Sequence, residues 1–164
     1  MTASSLRRFA FVSLLSVVLV GVAAAGPPWI AIEYPANPFD SGTRGAFLTV
    51  RTYHHGDPMA FDISGTAEGL VSGKRQSTRL DIVRLPQTGM YAVRWRKPAE
   101  GSWALLISTS QGGKHMASAL ISIDPAGRVA GVSVPADPIE GSRWVVPRKI
   151  AAAEVDALLK SETM

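Results

Sequence analysis

The chain has 164 residues, with 17 Lys and Arg against 13 Asp and Glu, and no cysteine. The missing thiol excludes disulfides, thiolate metal sites, cysteine nucleophiles and a lipid-modified cysteine. Two of the basic residues, Arg7 and Arg8, fall in an N-terminal leader, which leaves 15 against 13, an excess too small to argue for a nucleic-acid partner.

Residues 1–8 carry those two arginines and no acid, and residues 9–25 are apolar apart from Ser13, Ser16 and Gly21. The run ends in Ala23-Ala24-Ala25, followed by Gly26-Pro27-Pro28. A positive n-region, an apolar h-region and small residues at the cleavage site are what a signal peptidase reads, so residues 1–25 are expected to be removed after Ala25. The alternative is an uncleaved membrane anchor, but 17 apolar residues fall short of the roughly 20 a helix needs to span the hydrocarbon core. The remaining 139 residues are expected to work outside the cytoplasm, in the periplasm or beyond it. They make one domain of ordinary size, long enough to bury a core without cross-links.

Residues 29–34 are short and apolar, and residues 35–45 are dense in turn formers. Residues 46–54 (AFLTVRTYH) read as a strand that His55-Gly56-Asp57-Pro58 ends. Residues 64–71 and 74–83 read as two strands joined across Ser72-Gly73, with Gly65 and Gly69 suggesting a bulge in the first. In residues 89–96, Tyr91, Val93 and Trp95 alternate with Arg94 and Arg96, the period of a strand with one buried face. Residues 102–108 (SWALLIS) are apolar on both faces, as in a central strand, and 116–124 with 128–135 form a hairpin around Asp124-Pro125-Ala126-Gly127. Residues 141–147, with Trp144, have no evident partner. Ala151, Val155, Leu158 and Leu159 make a helical stripe within 147–160, expected to pack on the edge of the sheets, the alternative being a partner-binding helix; Arg148 and Lys149 oppose the helix dipole at its start, so its first turn is expected to fray.

Short strands at near-regular spacing, punctuated by Gly and Pro, predict an all-β fold: an Ig-like antiparallel β-sandwich of seven or eight strands over residues 26–146, with a short C-terminal helix and tail over 147–164. The spacing Gly89-x-Tyr91, then Pro98-x-x-Gly101-x-Trp103, resembles a pattern in exported bacterial Ig-like sandwiches, the YtkA-like and FixH-like periplasmic domains; the CopC-like copper-binding fold is similar in architecture. The resemblance spans about residues 46–123 and implies two adjacent strands, with Tyr91 and Trp103 as core aromatics and Gly101 freeing the turn. The paired-Met and His motifs of the copper proteins are not evident here.

Three functional readings stay open. The leading one is a non-catalytic exported module that binds or supports another cell-envelope component, its partner an envelope protein or an anionic surface ligand. For the latter, Lys74, Arg75, Arg79, Arg94 and Arg96, with Arg84 and Lys97, form a basic face if their strands are neighbours; otherwise they are solvated side chains paired with Glu68 and Asp81. The second is a metal-handling domain, with copper as the cofactor, using His54, His55, Met59, His115 and Met116, because imidazole and thioether together suit that ion. Neighbouring strand residues point to opposite faces, so His54 and His55 can share an ion only if the strand has ended. The third is an enzyme of unrecognised type: no G-x-S-x-G segment occurs, and Gly69-Leu70-Val71-Ser72-Gly73-Lys74 is one residue short of a phosphate loop. Trp29, Trp95, Trp103 and Trp144 are expected in the core rather than on a sugar-stacking platform.

Overall fold

A computed structural model describes residues 27–113 and 115–162, and the expected leader, residues 1–25, lies outside them. The chain forms an all-β sandwich with one short C-terminal helix. Its first sheet contains β1 (Trp29–Glu33), β2 (Leu48–His54), β7 (Met90–Arg94) and β6 (Asp81–Arg84) in that order, and the two-residue β3 (Asp57–Pro58) continues along β2. The second contains β10 (Val129–Ser133), β9 (His115–Ile123), β8 (Ser102–Gln111), β4 (Asp62–Val71) and β5 (Lys74–Arg79). All strand pairings among the described residues are antiparallel.

The core forms where the alternating apolar residues of both sheets meet. Leu48, Val50, Tyr91 and Val93 from the first face Trp103, Leu105, Ile107, Ile121 and Ile123 from the second. Tyr91 keeps its hydroxyl satisfied by donating to Phe61 O at 2.6 Å, which lets a polar tip sit in an apolar layer. Tyr91 and Trp103 are thus core aromatics, as the resemblance implies. Their strands, however, lie in opposite sheets and meet across the core rather than pairing.

Several expectations need correction. The predicted strand over 74–83 is two strands in different sheets. Leu80 breaks it, burying its side chain and donating its N–H to Gly65 O at 3.0 Å, so the chain passes from one sheet to the other. β5 consequently exposes the residues of both its faces. No bulge occurs at Gly65 or Gly69: β4 pairs with β5 and β8 in unbroken register. Gly69 instead makes room for the ring of Trp103, its direct cross-strand partner. On β7 both faces are buried, because Met90 and Ala92 form a second small cluster with Leu85.

The C-terminal helix α1 (Ala152–Ser161) lies on the outer face of the second sheet, not on an edge. Ile150, Val155 and Leu159 cover Ala104 and Leu120 there. Arg148 does not fray the first turn. Its guanidinium makes paired hydrogen bonds to Glu154 at 2.8 and 2.9 Å, while the same carboxylate accepts the Ala151 N–H at 2.8 Å. A carboxylate in the first turn satisfies an orphan donor and suits the dipole. Arg75 adds a bond to Asp156 at 3.1 Å, tying the helix to β5.

The hydrogen bonds from Arg148, and then that from Ala151, hold the Glu154 carboxyl at about 2, below its ordinary 4.5. A carboxylate with a depressed folded-state pKa stabilises the fold above its unfolded value and loses that contribution as pH falls from about 4.5 to about 2. Carbon-13 NMR of the Glu154 carboxyl is therefore expected to titrate with a midpoint near 2, and Arg148→Gln to raise it. An ordinary midpoint in the unsubstituted protein would contradict the pairing.

Candidate functional site: an aromatic cleft at one end of the sandwich

The four tryptophans divide between the two ends of the sandwich. Trp103 is buried in the core, with the half-buried Trp95 beside it at a ring-centroid distance of 6.4 Å. Trp29 and Trp144 are not core residues: they are 38% and 76% exposed. That overturns the expectation that all four are buried, and it places the site.

Three pieces of chain build it. Trp29 begins β1, opposite Tyr53 near the end of β2. β2 then turns through His55 and Gly56 into β3, with His54 paired to Asp57. Both turn residues have positive φ, 52° and 91°, the geometry of the tight two-residue hairpin that matches strand twist. The third piece, missed in the sequence, is a separate hairpin of β11 (Ala136–Pro138) and β12 (Val145–Pro147). Pro147 and Ile150 are buried at its base, and Arg148 N donates to Pro135 O at 3.0 Å. Its connecting loop closes with Ile139 N donating to Trp144 O at 3.1 Å and Trp144 N to Ser142 Oγ at 3.0 Å.

Between these pieces lies an open cleft of about 700 Å³. Pro27, Trp29, Ile139, Trp144, Val145 and Val146 give it apolar walls, and His55, Gly56 and Arg143 complete the lining. Ile139 and Val145 are themselves 43% and 48% exposed, so this end of the molecule presents a contiguous apolar surface. Such a surface, partly enclosed, is characteristic of ligand and partner sites. Arg143 makes no ion pair or hydrogen bond among the described residues. Among the described residues the lining contains no acid.

The histidine–methionine candidates gather at the same end. The imidazole of His54 meets that of His55 edge-on at 4.3 Å and the Phe61 ring at 6.2 Å. The strand has ended at His54, which is why adjacent residues bring their rings together. Phe61 precedes Asp62, which pairs with Ser110, which in turn pairs with Met116. Met59 is exposed just past β3, its N–H donating to Thr52 O at 3.0 Å. Met116 is half-buried on β9, and the side chain of His115 lies outside the described residues. Among the described residues no group of three or more His, Cys, Asp or Glu side chains is arranged to hold a metal ion. His54 Nε2 and Gln111 Oε1 are buried here without hydrogen-bond partners among the described residues. Buried polar atoms are seldom left so, and both fall at the end that carries the cleft.

The basic candidates do not share one face. Lys74, Arg75 and Arg79 line the β5 edge of the second sheet, whereas Arg84 and Arg94 belong to the first, and Arg96 and Lys97 follow the end of β7. Arg75 is committed to Glu68 at 3.0 Å and Asp156, and Arg94 stands 3.9 Å from Asp81. The phosphate-loop-like segment forms the β4–β5 hairpin, not the strand-to-helix turn that cradles phosphate.

Comparison of the chain with protein-family models, with curated proteins and with solved structures finds no match. The site is therefore read from its own geometry.

Proposed function

We propose that this chain is a non-catalytic exported binding module of Ig-like build, whose ligand site is the Trp29–Trp144 cleft and whose ligand is a component of the cell envelope. The observation that carries this reading is the pair of exposed tryptophans walling an apolar cleft. Exposed aromatic surface of this kind costs solubility and adds nothing to the fold, while supplying the large, low-entropy contact area that binding sites use. The Ig-like assignment draws on strand order. With β1, β2, β4, β5, β6, β7, β8 and β9 taken as A, B, C, C′, D, E, F and G, the sheets follow A-B-E-D and G-F-C-C′. The leader-like residues 1–25 support export.

A photo-reactive residue introduced at position 144 in producing cells tests this. Adducts with a discrete envelope component are expected from 144 and not from Gln76, which is exposed on β5. No adduct from 144, or equal yield from both, would defeat the proposal.

A further inference from the structure

We infer that the cleft takes a single hydrocarbon chain ending in an anionic head, a free long-chain carboxylate. This deepens the reading of the cleft as the ligand site and rests on it.

The argument is one of elimination by chemistry. A sugar presents several hydroxyls, and among the described residues the lining meets them with only two polar side chains, Arg143 and His55. A hydrocarbon chain asks for nothing but apolar surface, which Pro27, Trp29, Ile139, Trp144 and the two valines provide. The cleft volume of about 700 Å³ falls within the roughly 300–1,000 Å³ of small-molecule sites. Its charge is one-sided: the Arg143 guanidinium has no ion-pair partner among the described residues, and among them the lining offers no acid. A guanidinium fork meets a carboxylate through two parallel hydrogen bonds, so the head group is set at the Arg143 rim with the chain running between the indoles.

Octanoate, decanoate and dodecanoate, each below its micelle concentration, are titrated into the purified protein, with decan-1-ol as the uncharged comparator. One-to-one binding is expected, with affinity rising toward the limit of about fourfold per fully buried methylene. Arg143→Gln is expected to weaken decanoate several-fold and leave decan-1-ol unchanged. Trp144→Ala is expected to weaken both, and because that indole is 76% exposed, the thermal midpoint should stay put. Affinity independent of chain length, or unmoved by both substitutions, overturns the inference. If the carboxylates fail to bind while position 144 still gives adducts with an envelope protein, the occupant is a protein segment: the lipid inference falls and the binding module stands. Failure of both defeats both.

Discussion

Gly89→Ala is expected to destabilise the protein by at least about 3 kcal/mol and to disturb the cleft end more than the rest of the sandwich. Gly89 sits at φ 69°, where a side chain is already disfavoured. A Cβ there would also lie 2.7 Å from Thr52 O, 2.8 Å from Met59 O and 3.0 Å from Met59 N. All three are backbone atoms, so no rotamer change can relieve the contact. These atoms also hold the β2–β3 junction: Met59 N donates to Thr52 O at 3.0 Å, and the Thr52 hydroxyl donates to Met59 O. Pushing them apart moves the hairpin that carries His54 and His55. Denaturant unfolding should show the loss. Amide spectra of any folded fraction should shift most at residues 52–59. A stability change under about 1 kcal/mol would mean that the backbone approach is looser than described.

The second large effect belongs to the Trp103–Gly69 pair. Trp103→Ala removes a buried indole together with its 2.7 Å hydrogen bond to Glu100 O, at an expected cost of about 3–5 kcal/mol. Gly69→Ala alone is also expected to destabilise, by about 1–3 kcal/mol, because its Cβ would stand 2.7 Å from the Trp103 ring. With the indole gone the same substitution has room, and alanine in a strand is better than glycine by about 0.5–1 kcal/mol. A double-mutant cycle should therefore show Gly69→Ala changing sign in the Trp103→Ala background. Simple additivity would show that the ring does not rest on Gly69.

Much of the sandwich was legible because its signals are local. Ser72-Gly73 and the 124–127 turn mark their hairpins, and SWALLIS, apolar on both faces, reads correctly as the interior strand β8. The helix stripe was legible too, though Ala151 is exposed and Ile150 takes its place in the contact. What failed was tertiary. Polar–apolar alternation runs unbroken through Arg79-Leu80-Asp81, yet the chain changes sheets there, since the burial of Leu80 beside Gly65 is decided by strands far away in sequence. Composition does not separate a core tryptophan from an exposed one. Local context does not separate them either: Trp103 follows Glu100-Gly101-Ser102 and Trp144 follows Glu140-Gly141-Ser142-Arg143, and apolar residues come after both. The cleft itself joins residues 27–29, 55–56 and 139–146, which only the fold brings together.

The central claim, that function resides at the Trp29–Trp144 end, is tested most directly by the yield of photo-adducts from position 144 relative to position 76 in intact producing cells. A single envelope-derived adduct dominated by position 144, and reduced when Trp29 is also replaced by alanine, is the result this account predicts. Equal labelling from the two positions, or labelling at 144 indifferent to Trp29, would place the working surface elsewhere on the sandwich.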